Sequence, residues 1–243
     1  MNEDRAVDLP PSDGDRRWGS FAWFHYPFMK LSFIPFGGEG MFRRKTIAFA
    51  NPGEGEGVLD ACCGTASLTA LIAEKVGKTG KVTGIDISEK ALEKAAQKLK
   101  DGFPLTLRQA SCTSLPFQND SFDSVFISFG MHEMSADDRL KSLNEVKRVL
   151  KDDGSFFIVE YNLPHFFPAR FAVKAFNKIF ESQAAYRMLT DGTLLENLKQ
   201  AGFVIKRQRT LRAGMFQILH TVRVAAEGKN DTKKPEVDAE TGV

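Results

Sequence analysis

The sequence predicts an α/β fold: a seven-stranded, mostly parallel sheet with helices on both faces and an antiparallel hairpin at its C-terminal end. Three observations predict it. Short apolar runs alternate with helical patterns between residues 57 and 201, the signature of repeated βαβ units. The first two runs, Val58-Leu59-Asp60 and Val82-Thr83-Gly84-Ile85-Asp86, each end in an acid just ahead of a helical segment. The last two, 203–208 and 215–224, follow each other with no helix between them.

The elements follow in chain order. Residues 1–17 are polar and rich in Asp, Arg and Pro, and are expected to be disordered. Residues 18–33 are dense in aromatics and 41–49 have helical spacing, so 18–50 is assigned to helices preceding the sheet. Strand one covers 57–60, and the helix after it 66–76. Strand two covers 81–86. Ser88 can cap the next helix, 89–100, because its hydroxyl accepts from a free first-turn amide. Strands three and four cover 105–109 and 122–128. An amphipathic helix spans 136–150 and ends at Asp152-Asp153-Gly154. Strand five covers 155–160. A Phe-rich insertion, 162–187, reads as a helical cover, and a helix over 190–201 stops at Gly202. The main domain is therefore 18–226, with a second disordered stretch at 227–243.

Composition narrows the function. With 243 residues, 42% of them hydrophobic, the chain can build one substantial core. A net charge of +2 does not call for nucleic acid. The three cysteines, Cys62, Cys63 and Cys112, form no CxxC pair, so no metal site and no disulfide framework is expected. They fit a reducing, cytoplasmic location. The 21 Phe against 3 Tyr imply either a Phe-rich core or an apolar substrate pocket.

The loop Asp60-Ala61-Cys62-Cys63-Gly64-Thr65-Ala66 carries the most chemistry. In open α/β sheets ligands lie beyond the carboxyl ends of the strands, where Asp60 and Asp86 both fall. The two acceptor oxygens of Asp86 match the two hydroxyls of a ribose. A dinucleotide reader needs Gly-x-Gly-x-x-Gly so that backbone can approach a pyrophosphate. Here Ala61, Cys62, Gly64 and Ala66 hold those positions, and Asp60 repels phosphate. A cationic, phosphate-free nucleoside suits the loop better. The plainer alternative for Asp60 is a helix N-cap.

These residues carry a family resemblance. Val58-Leu59-Asp60-x-x-Cys63-Gly64-Thr65, Gly84-Ile85-Asp86, Leu115-Pro116-Phe117 and Ser121-Phe122-Asp123 resemble class I S-adenosylmethionine-dependent methyltransferases, which have a Rossmann-like fold. Arg43-Arg44-Lys45, Ser128-Phe129-Gly130-Met131 and Val149-Leu150-Lys151-x-x-Gly154 are similar to the UbiE/COQ5-like group, which contains quinone C-methyltransferases. The resemblance covers roughly residues 42–160 and, more weakly, 194–203. It implies S-adenosylmethionine as cofactor. Asp60 and Gly64 would line its methionine end, with Thr69 behind them, and Cys62 of the same loop would belong to the cofactor-binding set. Asp86 would hold the ribose and Ile87 pack on adenine. Ser111 and Cys112 would flank the adenine amine, and Ser128 the sulfonium. Two positions depart from the family pattern. Ala66 replaces a glycine, and Ser111 replaces an acid, which predicts weaker adenine anchoring.

The acceptor side is less explicit. His132, after strand four, has the pKa range of a general base, or it is a loop histidine that packs or caps. The group tends to carry Arg there, so His132-Glu133 points toward a different acceptor. Glu160 and Tyr161 end strand five; Glu160 is a base, a binder of a polar head, or an exposed strand-end acid. His25 and Tyr26 either close over the acceptor or pack in the core. Phe167, Phe171, Ala175, Phe176, Ile179 and Phe180 recur at helical spacing, with Arg170, Lys174 and Lys178 elsewhere on the turn. That helix either packs on its own domain or touches a membrane to fetch a lipid-like substrate. The expected activity is methyl transfer to a small or lipid-like acceptor, a quinone or a phospholipid head group among the options. Two other readings stand beside it. A non-catalytic protein of the same fold is favoured by Ala66 and Ser111, and a nucleotide-dependent oxidoreductase is disfavoured by the missing glycines.

Overall fold

The computed structural model describes residues 38–98, 104–164, 166–180, 183–211, 214–224 and 236–239. The expected aromatic helix at 18–33, with His25 and Tyr26, lies outside them. The elements are α1 (Gly38–Ala50), β1 (Gly57–Ala61), α2 (Ser67–Val76), β2 (Lys81–Asp86), α3 (Glu89–Lys98), β3 (Leu105–Gln109), β4 (Phe122–Ser128), a 3-10 turn (Met131–Glu133), α4 (Ala136–Val149), β5 (Leu150–Tyr161), α5 (Phe167–Phe180), α6 (Gln183–Asp191), α7 (Thr193–Ala201), β6 (Phe203–Leu211), β7 (Phe216–Arg223) and β8 (Glu236–Ala239).

One sheet runs in the order β3-β2-β1-β4-β5-β7-β6-β8. The β3, β2, β1, β4 and β5 neighbours pair in parallel. β7 lies antiparallel between β5 and β6. Strand order reverses between β1 and β4, so the crevice outside their carboxyl ends is the expected ligand position.

Alternation along the strands divides the core into two layers. Leu59, Ile85, Phe156 and Ile158 face the layer of α4 and α7, with Leu143, Val146, Leu194 and Leu198. Val58, Val82, Phe157 and Val159 face the layer of α1 and α2, with Phe42, Phe49, Leu68 and Ile72. Sheets buried on both faces need such continuous apolar runs. Much of the phenylalanine excess is this core: Phe49, Phe126 and Phe156 are each fully buried.

Several boundaries differ from expectation, each for a physical reason. β5 begins at Leu150, because Leu150 pairs with Phe122 before the register shifts and Ser124 meets Ser155. The expected helix over 190–201 is two helices, broken by Gly192 at φ 71°. The expected mostly parallel sheet with its antiparallel C-terminal hairpin is present, and the tail adds β8 at its edge, parallel to β6, where sequence polarity predicted disorder. Ser88 caps α3 as expected, its Oγ accepting from the Ala91 amide at 3.3 Å.

Candidate functional site

The β1–α2 loop builds a tight cradle. Cys62 (φ 62°), Gly64 (φ 54°) and Ala66 (φ 57°) all take left-handed backbone, which turns the chain sharply from strand into helix. At Gly64 a side chain would meet nothing within 4 Å, so the space over this residue is open. Ala66 does without glycine's freedom and carries the strain, roughly 1–2 kcal/mol for a residue with a Cβ. The Cys63 amide bonds the Ile85 carbonyl at 2.9 Å, tying the loop to β2.

The two acids occupy different electrostatic settings. Asp86 Oδ2 accepts from the Gly64 amide at 2.8 Å and Oδ1 from the Ser88 amide at 2.9 Å. Asp60 is 1% exposed, and its Oδ2 accepts from Thr69 Oγ1 at 2.6 Å. Its other oxygen, Oδ1, is buried with no hydrogen-bond partner. Burial pushes the Asp60 carboxyl up to about 6, against the Thr69 hydrogen bond and the Arg43 charge. An orphaned, buried acid oxygen beside an open glycine turn suits a cationic amino-acid tail; it is hostile to phosphate. Thr69 is fully buried, so it orients Asp60.

Ile87 follows β2 and is 40% exposed, an apolar surface at the strand's carboxyl end. Ser111 Oγ lies 2.8 Å from Thr113 Oγ1 and accepts from the Thr113 amide at 3.2 Å, shaping the loop after β3. Cys62 Sγ stands 3.0 Å from Cys112 Sγ. A Cβ on Gly130 would come within 2.7 Å of the Cys62 Cβ, so the β4 loop reaches this close only because residue 130 is glycine. The Cys112 contact and burial push the Cys62 thiol well up, and burial does the same to Cys63. Both behave as small apolar groups.

The second half of the crevice is assembled from β4 and β5. His132 Nδ1 lies 2.8 Å from Glu160 Oε1, and the His132 amide donates to Glu160 Oε2 at 3.2 Å. The Tyr161 amide donates to the same carboxylate at 3.1 Å. Glu160 is fully buried and His132 is 4% exposed. The reading of Glu160 as an exposed strand-end acid therefore fails: it is the anchor beneath His132. The Tyr161 ring meets His132 at 5.0 Å and joins Phe129 and Phe216 in an aromatic wall. Phe129, next to Ser128, holds φ 57°, an unusual conformation for a bulky residue.

Sequence reasoning missed Arg139. It reads as one more charge on an amphipathic helix, yet it is 2% exposed. Its Nη1 donates to the Met131 and Met134 carbonyls, both at 3.2 Å, and Nε to Asn197 Oδ1 at 3.3 Å. It pins the turn that carries His132. No sequence signal marks it, because the carbonyls it serves are visible only in three dimensions.

The sheet order is that of a Rossmann-like fold, and the family match makes the chain an S-adenosylmethionine-dependent methyltransferase. The chain belongs to the ubiE/COQ5 methyltransferase family, whose sequence model matches residues 24–221. Two similar proteins are demethylmenaquinone methyltransferases. The one from Bacillus subtilis is 38% identical over 141 residues, 57% of this chain and 60% of that protein, less than two thirds of its length. The one from Staphylococcus saprophyticus is 34% identical over 191 residues, 72% of this chain and 81% of that protein. A solved S-adenosylmethionine-dependent methyltransferase from Aquifex aeolicus superposes with a TM-score of 0.61 at 21% identity, covering 75% of this chain and 89% of that one, and shares the fold.

Proposed function

We infer that this protein methylates a lipid-like quinone ring, with the β1–β3 loops holding the donor and the β4–β5 loops receiving the acceptor. The observation that carries a proton-accepting acceptor half is the buried His132–Glu160 pair. Because His132 stands where the group tends to carry Arg, the choice of a quinone ring is supported by the relatives' names and not by this pair. S-adenosylmethionine, when bound, supplies an electrophilic methyl group. Asp60 and Gly64 hold its amino-acid end, Asp86 its ribose, and Ile87, Ser111 and Cys112 its adenine, with Cys62 and Ser128 lining the centre of the cleft.

On the acceptor side, Glu160 accepts from His132 Nδ1–H and fixes the tautomer. That leaves Nε2 as the basic nitrogen. His132 Nε2 would take a proton from a ring hydroxyl of the reduced acceptor, which raises electron density at the ring carbon. That carbon would form its bond to the methyl group as the sulfur–methyl bond breaks and S-adenosylhomocysteine leaves. The ring would regain aromaticity by losing that carbon's proton to solvent while His132 returns its own to the ring oxygen. Tyr161, Phe129 and Phe216 supply an apolar wall for a flat ring. Glu160 acts through His132 as a positioning residue, and Arg139 positions the turn. α6 packs on that turn; together with α5 it forms the cover, and acceptor entry lifts it from His132. The names of the Bacillus and Staphylococcus relatives support a quinone acceptor.

The test offers the full chain methyl-labelled S-adenosylmethionine with either a prenylated naphthoquinol or phosphatidylethanolamine in detergent, and follows products by mass spectrometry. Label on a quinol ring carbon is expected. Label on the phospholipid alone overturns the acceptor reading.

A further inference from the structure

The cover helix carries an outward face that the proposed chemistry does not use. Phe166, Phe167 and Phe171 are 68%, 77% and 67% exposed, three large apolar rings within six residues. Phe49, Phe126 and Phe156, by contrast, are fully buried in the core, and clustered exposed rings mark a contact surface. On α5, helical spacing puts Phe167, Phe171, Lys174 and Lys178 on one stripe, with Arg170 beside it. Arg170 and Lys178 are exposed and Lys174 is half-buried. The helix contains no acid. The stripe is thus apolar at its N-terminal end and cationic toward its C-terminal end.

We propose that this stripe, Phe166-Phe167-Phe171 with Arg170, Lys174 and Lys178, docks the protein on the surface of an anionic lipid bilayer and sets the acceptor-side mouth against it. The partner is argued from chemistry. A protein groove would accept the rings but gives no reason for three cations on a helix that carries no acid. A bilayer surface takes both, with phenyl rings at the acyl boundary and lysine and arginine among lipid phosphates. Among the described residues no helix is long and apolar enough to cross a membrane, so the contact is peripheral.

Placement ties the surface to the site. Phe166 is five residues beyond Tyr161, so the first exposed ring starts at most about 18 Å along the chain from the aromatic wall. α5 contacts α6, and α6 contacts the turn that bears His132. A lipid-borne acceptor therefore arrives beside the cover it must lift. The inference rests on the lipid-like acceptor reading only for that last step.

The experiment is co-sedimentation of the full chain with vesicles of phosphatidylglycerol and phosphatidylethanolamine, against vesicles of phosphatidylcholine alone. The wild type is expected to sediment with the anionic vesicles and remain mostly soluble with the neutral ones. Replacing Phe166, Phe167 and Phe171 together by Ser should weaken binding by about tenfold or more, since each ring removes apolar area from the interface. Lys174→Glu with Lys178→Glu should do so most at low salt. S-adenosylhomocysteine affinity is expected to be unchanged in both variants, which reports an intact fold. Three results overturn the proposal: no wild-type binding to anionic vesicles, equal binding by the triple variant, or a wild-type dimer that the triple variant dissolves. A water-soluble, short-chain quinol separates the two readings. If the wild type binds vesicles through these rings but methylates neither quinol, the acceptor reading falls and the docking surface stands.

Discussion

The two halves of the crevice are built by opposite strategies. On the proposed donor side, Asp86 accepts from the Gly64 and Ser88 backbone amides, so its setting follows the course of two turns. On the proposed acceptor side, His132 is held by a side chain, the Glu160 carboxylate, beside aromatic rings from the loop after β4, from β5 and from β7. A setting made by backbone turns persists when the side chains around it change. A side-chain pair can be exchanged without disturbing those turns, so acceptor choice can change on one scaffold.

The sharpest way to break this comparison is to injure one half and read both. His132→Ala is expected to lower kcat by about 10²–10⁴ and to leave S-adenosylhomocysteine affinity within about threefold. Asp86→Ala should weaken that affinity by about 100-fold, the scale of lost charged hydrogen bonds, as read by isothermal titration. If the two variants exchange phenotypes, the division into halves is wrong.

Asp60→Asn separates stability from binding. The folded pKa of Asp60, about 6, is raised above its ordinary 3.8. The folded state therefore holds the proton longer, and this group's contribution to stability falls as pH rises from about 4 through 6. At neutral pH the penalty is on the order of 3 kcal/mol. Urea unfolding of the ligand-free Asn variant should show greater stability at pH 7, while titration shows loss of S-adenosylhomocysteine binding. A variant less stable than wild type at pH 7 would show that the acid is comfortable where it is.

His220, on β7, tests the opposite slope. Burial, then Arg207 and Lys206, lower it to about 4. Its ring stacks on Phe157 at 4.8 Å. Because the folded pKa lies below the unfolded one, stability is lost as pH falls from about 6.5 toward 4. Partial exposure limits the effect to about 1–2 kcal/mol. His220→Phe should flatten that leg of the stability profile without touching either half of the crevice. Smallest is Ala66→Gly, expected to stabilise by about 1 kcal/mol in thermal unfolding by relieving a left-handed alanine. No gain would mean the turn stores no strain at this position.

The parallel half of the sheet was legible because its central strands β1, β2 and β4 are mostly buried and each βα turn is punctuated by Asp, Ser or Gly. Asp60 and Asp86 were legible because strand ends at a switch point are fixed by topology. The His132–Glu160 bond was not. Both residues were candidates, but the bond joins a turn after β4 to the end of β5, and which way that turn aims His132 depends on its three-dimensional course. Arg139 was hidden because the carbonyls it serves come together only in three dimensions. The break at Gly192 was missed because a single glycine inside a helical pattern is usually tolerated. β8 was missed because Glu236-Val237-Asp238-Ala239 is too short an alternation to stand out in a polar tail: an edge strand needs backbone partners more than it needs an apolar face.

That last strand has a further consequence. β6 carries Lys206, Arg207 and Arg209, and without β8 its outer backbone groups would stand open to any extended peptide. Register sets Glu236 opposite Arg207 and Asp238 opposite Arg209. The chain thus supplies its own stopper, matched in charge to the edge it closes. A version shortened before Glu236, or bearing a bulky fusion there, is expected to grow end-to-end assemblies while its methyl-transfer site remains whole.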